Sequence, residues 1–347
     1  HSFPTRRSSD LWLIMNEVKV GIIGIGNMGY AHLQTVTAGN IPDMTVTAVC
    51  DIDTKKLNAA RNTYPALRVF EDYTDLLKNS DTNAVIIAVP HPLHAKIAIE
   101  AFKYGKHVLV EKPLDITVSA AEDLCAAAEK SGKVFAIMFN QRTNGLFRKA
   151  REIVKSGELG EIKRSVWIIT NWYRTQSYYD SSKWRATWAG EGGGVLLNQA
   201  PHNLDIWQWI CGKPSAVTAF CSVGKFHNIE VEDEATIYAE YENGATGVFI
   251  TSTGDCPGTN RLEITGTRGK LVLENGILKL WKLNEDERDI CKNATEGFVS
   301  PETEYSEFSA EREEAHAGIL KNFAGAILHG EELLSPGYDG INELMIS

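Results

Sequence analysis

The most constraining feature of this sequence is a glycine-rich turn that directly follows a short apolar run. Residues 18–23 read Val-Lys-Val-Gly-Ile-Ile, and Gly24, Gly26 and Gly29 follow with the spacing Gly-x-Gly-x-x-Gly. An apolar run of this length that is rich in Val and Ile predicts a buried strand. The segment Tyr30 to Ala38 is compatible with a helix. Strand, turn and helix in this order predict the start of an α/β domain with a parallel sheet.

Such a turn has the geometry that a dinucleotide pyrophosphate requires. The first glycine makes the tight turn, the second lets the backbone approach the phosphates, and the third lets the helix pack closely on the strand. The backbone N–H groups of the helix N-terminus then face the anion. Asp51 follows a second predicted strand about 20 residues later, where an acidic partner for a ribose hydroxyl is expected. The predicted cofactor site therefore includes Gly24, Gly26, Asn27, Met28, Gly29 and Asp51.

The charge of Asp51 also bears on which dinucleotide is bound. Its carboxylate would repel a 2′-phosphate, which favours NAD over NADP. Lys55 and Lys56 follow closely and leave NADP as an alternative.

The overall composition excludes several classes of protein. The 347 residues carry a net charge of -10, which argues against nucleic acid or an anionic membrane as a partner. No apolar run approaches the roughly 18 residues of a membrane span. The six cysteines are scattered without metal-ligand spacing, which predicts reduced thiols, no metal site and a cytoplasmic location.

Two domains are predicted from a change of pattern along the chain. Up to about residue 140, strand-like and helix-like segments alternate, which predicts a Rossmann-type doubly wound parallel sheet. Beyond it, strands joined by hairpin turns predict an α+β domain on an open, mostly antiparallel sheet. We assign 15–140 to the dinucleotide-binding domain and 141–347 to the substrate and oligomerisation domain. Residues 1–14 resemble a translated sequencing adapter and are interpreted as a non-native leader, and a C-terminal truncation is expected.

A strand that ends in Glu111-Lys112-Pro113 places a lysine at the carboxyl edge of the parallel sheet. This is the edge where open α/β folds bind their ligands. An ammonium beside a nicotinamide can donate to a substrate hydroxyl and stabilise the negative charge that develops there. Lys112 is therefore a candidate catalytic residue.

A second candidate group follows the run Gly192–Gly194. Asn198, His202 and Asp205 are spaced four and three residues apart, so they share one face if a helix spans them. His202 is a natural general base because its unperturbed pKa is about 6.5. Asp205 either orients the His202 ring or stabilises the first helical turn. A helix is expected from Asn198, or from near Ala200 because Pro201 fits a first helical turn.

Together, the glycine turn, Glu111-Lys112-Pro113 and the Gly-rich segment ending in His202 resemble the Gfo/Idh/MocA family of glucose–fructose oxidoreductase, inositol dehydrogenase and rhizopine-catabolism proteins. The resemblance covers nearly all of residues 15–347. It implies an NAD(P)-dependent sugar or cyclitol oxidoreductase, with a second domain that often forms oligomers. A carbohydrate or cyclitol substrate and a homodimer or homotetramer are therefore expected.

The resemblance also assigns individual positions. Lys112 matches the family lysine and His202 the family histidine. The turn 90–94 matches a nucleotide-contacting turn that commonly reads Pro-Asn, so His91 departs from the pattern. Residues 140–142 match a segment that lines the nicotinamide pocket. The cofactor contacts expected from these motifs are Pro90, His91, His94, Glu111, Lys112 and Arg142.

One departure concerns the catalytic group itself. Relatives such as inositol dehydrogenase have Asp four residues before the histidine, where this chain has Asn198. An amide can position a hydroxyl, but it cannot stabilise an imidazolium by charge. The resemblance therefore implies that Lys112 carries more of the proton transfer here.

The substrate side is predicted from a loop rich in aromatic residues. Trp184 and Arg185 are expected to contact the substrate, by stacking on sugar C–H surfaces and by binding hydroxyls or an anion. A hydrophobic lid without ligand contact is the alternative. Besides a dehydrogenase, two functions stay open: an NAD-dependent glycosidase that oxidises the sugar transiently, and a non-catalytic NAD-sensing regulator.

Overall fold

The computed structural model describes residues 17–309 and 314–347. The predicted leader 1–14 lies outside them. In the first half, strands and helices alternate as β1 (Val18–Ile23), α1 (Asn27–Thr37), β2 (Met44–Cys50), α2 (Thr54–Thr63), β3 (Arg68–Phe70), α3 (Tyr73–Asn79), β4 (Ala84–Ile87), α4 (His94–Lys103), β5 (His107–Val110), α5 (Val118–Ser131) and β6 (Phe135–Ile137).

These strands form a parallel sheet in the order β3-β2-β1-β4-β5-β6. The chain therefore winds outward in both directions from β1, and the connections diverge between β1 and β4. Ligands of such sheets bind at the carboxyl ends of the strands at this point. The predicted Rossmann-type sheet is confirmed.

The second half contains α6 (Gly145–Lys155), β7 (Ile162–Ile169), α7 (Gln176–Tyr179), α8 (Pro201–Cys211), β8 (Ala216–Val223), β9 (Glu232–Glu240), β10 (Thr246–Ser252), β11 (Asn260–Gly266), β12 (Gly269–Glu274), β13 (Ile277–Leu283), α9 (Glu287–Asn293), β14 (Thr303–Ser309), α10 (Ala315–His329) and α11 (Gly340–Leu344). The strands form a sheet in the order β14-β13-β12-β11-β7-β10-β9-β8. Neighbours are antiparallel except β7 and β10, so the predicted, mostly antiparallel sheet is confirmed.

One face of this second sheet carries α6 and α8. Trp167 of β7, Trp207 of α8 and Phe249 of β10 are fully buried between sheet and helices. Gly247 leaves room for this packing, since a Cβ there would lie 2.5 Å from the Trp207 ring. The buried tryptophan of α8 thus fixes the helix that carries His202.

The start of the helix that carries His202 was left open by the sequence. It begins at Pro201 with Ala200 as its N-cap, close to the later of the two expected starts, so Asn198 lies in the preceding turn. In β14, Phe308 packs against the core while Glu304 and Glu307 point to solvent. The sequence also predicts a helix over 311–328. Residue 311 lies outside the described residues, and the helix is α10.

Helix α10 returns to the first sheet. Its Ile319, Leu320 and Phe323 are buried in the same cluster as β1 and α1. Leu344 of α11 joins the cluster on the other face of that sheet. The division of the chain at residue 140 stays a prediction, and the C-terminal helices pack across it. In the described part of the chain, every helix is too short or too polar to cross a bilayer.

Candidate active site

The glycine turn fits a dinucleotide pyrophosphate. Gly24 has φ +88°, and a Cβ there would lie 2.5 Å from the Ala88 carbonyl oxygen. A Cβ on Gly29 would lie 1.8 Å from the Gly24 carbonyl oxygen, so helix and turn touch only because both residues are glycine. Gly26 instead faces open space, and no side chain caps the N-terminus of α1. The exposed Asn27 and Met28 follow directly, so bare backbone N–H groups are presented where phosphates would approach.

Asp51 stands at the end of β2 beside this turn. Its Oδ2 accepts a hydrogen bond from the Ile25 N–H at 2.9 Å, and its Oδ1 accepts from the Asp53 N–H at 2.9 Å. Lys56 Nζ lies 3.5 Å from Oδ2. The carboxylate therefore braces the glycine turn, in addition to the ribose contact that the sequence predicts for it.

Lys112 follows β5, and its ammonium reaches across to the second half of the chain. Its Nζ donates to the backbone carbonyl of Asn198 at 2.7 Å. Burial lowers the pKa of Lys112, and the negative charges of Glu111, Glu343 and Glu191 oppose this. The site thus holds a lysine that gives up its proton more readily than a lysine in water.

Glu111 lies beneath Lys112 and faces the first helix. Its Oε1 lies 2.7 Å from Nε2 of the buried His32. Burial acts to raise the pKa of Glu111, but His32, His316 and Lys112 outweigh it and lower that pKa to about 2. Glu111 is 7% exposed and is therefore a buried anion next to Lys112.

His202 lies in the first turn of α8, close to Lys112. Its pKa falls to about 3, mainly through burial and also through the positive charge of Lys112. The imidazole is therefore neutral at physiological pH, which is the form a general base requires. Its Nδ1 is buried without a hydrogen-bond partner among the described residues, and its ring meets Phe139 edge-on at 6.3 Å. Of the two alternatives for Asp205, orientation of this ring has no support in the structure, because the Asp205 oxygens accept hydrogen bonds from Arg142 and Gln208.

Asp205 is instead paired with Arg142. Arg142 donates from Nε and Nη2 to the two Asp205 oxygens at 2.8 and 2.6 Å, and from Nη1 to Asp339 at 2.6 Å. Arg142 is 1% exposed and Asp205 is fully buried. The two predicted site residues therefore satisfy each other's charge in the interior, and the cofactor contact of Arg142 and the substrate contact of Asp205 stay predictions.

Both histidines of the turn after β4 are buried. The His94 ring lies between the carbonyl oxygens of Pro113 at 2.7 Å and Val89 at 2.9 Å and is fully buried. His91, preceded by Pro90, has Nδ1 3.1 Å from the Glu191 carbonyl oxygen. His94 thus ties the turn to the Lys112-Pro113 segment, and its predicted cofactor contact stays a prediction.

The aromatic loop is organised around Arg185. The Arg185 guanidinium lies between the rings of Tyr178 and Trp184, at 4.4 and 4.8 Å from their centroids. Its Nη1 donates to the Tyr178 hydroxyl at 2.6 Å. Trp184 is 37% exposed. The substrate contacts of Trp184 and Arg185 stay a prediction.

Glu191 is a site residue that the sequence analysis missed. It is 1% exposed and accepts hydrogen bonds from the Ala186 N–H and the Asn198 amide, both at 2.6 Å. The signal available in the sequence was a single acid between a tryptophan-rich loop and a triple glycine.

Glu343 is a second missed carboxylate. It is fully buried on α11, and neither oxygen has a hydrogen-bond partner of normal geometry among the described residues. Burial raises its pKa to about 8, Asp205 adds to the rise, and Lys112 and Ser347 oppose it. An acid within the apolar stretch Ile341–Ile346 was the sequence signal for it.

Glu343→Gln is expected to stabilise the protein at alkaline pH. The native state binds a proton that the unfolded state has lost between about pH 4.5 and about pH 8, so stability falls across this window. We expect equal stability of variant and wild type near the lower limit. Above the upper limit the variant gains on the order of 4 kcal/mol. Thermal unfolding at both pH values measures this, with the exposed Glu332→Gln as control. A pH-independent difference would contradict the assignment.

A parallel sheet with a glycine turn at its carboxyl edge is typical of the class of dinucleotide-binding proteins, and Lys112 connects this edge to the turn that precedes the helix of His202. Comparison with known families places the chain within this class. Residues 18–139 match the oxidoreductase family with an NAD-binding Rossmann fold, and residues 147–272 match the Gfo/Idh/MocA C-terminal domain. The chain belongs to the Gfo/Idh/MocA family, as the sequence predicted.

The relatives that this chain matches include two named dehydrogenases. The 1-carboxy-3-chloro-3,4-dihydroxycyclohexa-1,5-diene dehydrogenase of Comamonas testosteroni is 31% identical over 76% of this chain and 69% of its own length. The myo-inositol 2-dehydrogenase of Thermotoga maritima is 23% identical over 95% of this chain and 94% of its own length. The WlbA dehydrogenase of Bordetella pertussis, solved with NADH and UDP-GlcNAcA, shares the fold with a TM-score of 0.81 at 23% identity, covering 95% of this chain and 92% of that chain.

Proposed function

We propose that this protein is an NAD-dependent dehydrogenase of a secondary alcohol in a sugar, glycoside or cyclitol. The observation that carries the proposal is the meeting of Lys112, at the edge of the nucleotide-binding sheet, with the turn that leads to His202 in the second half. Relatives named for myo-inositol and for a dihydroxylated ring support the class of substrate. Each offers a secondary hydroxyl on a six-membered ring.

The chain's own groups supply the proton chemistry. NAD, when bound, provides the hydride acceptor. Lys112 donates a hydrogen bond to the reacting hydroxyl and stabilises the negative charge that grows on its oxygen. The neutral His202 accepts the hydroxyl proton through Nε2, since Nδ1 is enclosed by protein. Glu111 keeps a negative charge beneath the ammonium, which favours the protonated lysine at the start of the reaction.

Turnover with a defined panel tests this proposal. NAD is incubated with the protein and myo-inositol, D-glucose, a methyl glucoside or D-glucuronate, and NADH is followed by absorbance. Accumulation of NADH with at least one compound is expected. Release of methanol from the glucoside without net NADH would favour the glycosidase alternative. NAD binding without any turnover would contradict the proposed dehydrogenase.

The predicted preference for NAD is tested at Asp51. Asp51→Asn keeps an oxygen that can accept from the Ile25 N–H but removes the charge that repels a 2′-phosphate. We expect the ratio of NADP to NAD affinity to rise about tenfold, the effect of one near charge pair. Asp53→Asn is the matched control, because Asp53 caps α2 through the Lys55 N–H. Equal changes for both dinucleotides would contradict the ribose contact.

We also propose a cytoplasmic homodimer or homotetramer assembled through the second sheet. The sheet face opposite α6 and α8 carries apolar side chains without a covering layer among the described residues, and Phe220 of β8 is 74% exposed. Exposed apolar patches of this kind mark association surfaces. Sedimentation of Phe220→Glu, expected to dissociate the assembly, tests this proposal.

A further inference from the structure

Glu191 occupies the junction between the aromatic loop and the candidate active site. It lies one residue before the triple glycine and is almost completely buried. Burial raises the pKa of Glu191, while the Ala186 N–H, Arg185 and Lys112 favour its ionised form. Burying an ionised carboxylate is costly unless its oxygens accept hydrogen bonds.

The two oxygens of Glu191 hold two different elements. Oε2 accepts from the Ala186 N–H at 2.6 Å and so anchors the loop that carries Arg185. Oε1 accepts from Asn198 Nδ2 at 2.6 Å, and Arg185 Nη1 lies 3.4 Å away. Ala186 has φ +54°, an uncommon conformation for a residue other than glycine. Glu191 therefore fixes both the loop backbone at Ala186 and the side-chain amide of Asn198.

The hydrogen bond to Glu191 determines which way the Asn198 amide faces. An ionised carboxylate only accepts hydrogen bonds, so it must meet the NH2 group of the amide and not its oxygen. Asn198 Oδ1 is then turned the other way and has no hydrogen-bond partner among the described residues. The backbone carbonyl of the same residue already accepts from Lys112 at 2.7 Å. Asn198 thus meets Lys112 through its backbone carbonyl and keeps one side-chain acceptor unused.

We propose that Glu191 is a positioning residue that fixes Asn198 Oδ1 as the acceptor for a second substrate hydroxyl, adjacent to the one that is oxidised. This inference rests on the proposed dehydrogenase function and specifies its substrate class as vicinal diols of a ring. A substrate hydroxyl donates to Oδ1 while its neighbour meets Lys112 and His202. A substrate without the neighbouring hydroxyl leaves the buried side of the site unpaired and is rejected.

The test compares Glu191→Gln with Glu230→Gln. Glu230 is a matched control, because it accepts from the Trp188 N–H of the same loop at 2.9 Å. It is exposed and makes no hydrogen bond to Asn198. The probes are myo-inositol and D-glucose, each beside its monodeoxy analogues. Wild type is expected to favour the diol over the deoxy compound, and Glu191→Gln to lower this ratio of kcat/KM about tenfold. Glu230→Gln should leave the ratio unchanged.

A double-mutant cycle separates positioning from a general loss of structure. In an Asn198→Ala background, Glu191→Gln should not change the diol preference further, because the amide that it orients is gone. Hydrogen exchange of the Ala186 amide gives a readout without turnover, and faster exchange is expected in Glu191→Gln alone.

The outcomes distinguish this inference from the proposed function. An active wild type whose diol preference survives Glu191→Gln would overturn the positioning role. Additive effects in the cycle would overturn it as well. A wild type that turns over neither probe series contradicts the proposed function for these rings. The exchange measurement then decides alone, and unchanged Ala186 exchange in Glu191→Gln overturns the role of Glu191.

Discussion

Replacing Lys112 by alanine is expected to lower kcat about a thousandfold while NAD affinity changes little. The ammonium is the group that meets the developing alkoxide, and removing one such donor typically costs about 10²–10³ in kcat. Loss of its hydrogen bond to the Asn198 carbonyl adds to this by loosening the neighbouring amide. Steady-state kinetics with the best compound of the panel, together with NAD binding by fluorescence titration, measure the two effects separately.

Two variants act as controls for Lys112→Ala. Lys103→Ala removes an exposed lysine whose ammonium pairs with Glu100, and full activity is expected. Lys112→Arg keeps the charge but cannot lose a proton near neutral pH. If Lys112 takes part in proton transfer, the arginine variant stays at least tenfold below wild type in kcat, which follows from the 10²–10⁴ range of acid–base catalysis. A Lys112→Ala variant that retains more than a tenth of wild-type kcat would contradict the catalytic role of Lys112.

Replacing Arg142 by alanine is expected to give the largest loss of stability, about 3–5 kcal/mol. The change leaves the fully buried Asp205 carboxylate without its two charged hydrogen bonds. It also frees Asp339 and the Leu334 carbonyl, which Arg142 holds at 2.6 and 3.1 Å. Denaturant unfolding followed by circular dichroism measures the loss.

The pH dependence identifies the cause of this destabilisation. Burial raises the pKa of Asp205, and Arg142 opposes the rise, so the raised pKa climbs further in Arg142→Ala. The native state then holds a proton that the unfolded state releases, and the deficit grows as pH rises above the pKa of an unfolded aspartate. The deficit should therefore be greater at pH 8 than at pH 5. The exposed Arg148→Ala is the control, and Arg142→Leu with Asp205→Leu should recover part of the loss. A deficit that does not vary with pH would contradict a role for the Asp205 charge.

Much of the first half could be predicted because its signals are local. The strand β1, the turn Gly24–Gly29 and Asp51 follow from apolar runs and glycine spacing, which the parallel sheet requires at these positions. The position of Lys112 at the sheet edge follows from the same reasoning. The contact of Lys112 with the turn before His202 could be predicted only from the family resemblance, because no local sequence pattern indicates which loop of the second half reaches that edge.

The remaining features depend on contacts that are distant in sequence. Arg142 and Asp205 were predicted as site residues, since each is polar and close to a motif, but their pairing across 63 residues buries both. Spacing alone left the start of α8 open between Asn198 and Ala200. The structure decides it at Gly194, where a Cβ would lie 1.8 Å from the Glu232 carbonyl oxygen. This close approach holds the chain in a turn, and the helix begins only at Pro201.

The return of α10 to the first sheet limits how this architecture can be taken apart. Ile319, Leu320 and Phe323 cover apolar side chains of β1 and α1, although they are encoded nearly 300 residues later. A nucleotide-binding half expressed by itself would expose to water the apolar surface that α10 covers, and we expect it to self-associate in solution. A chimera of this half with the second half of another protein would therefore fold only if it also retains the α10 segment of this chain.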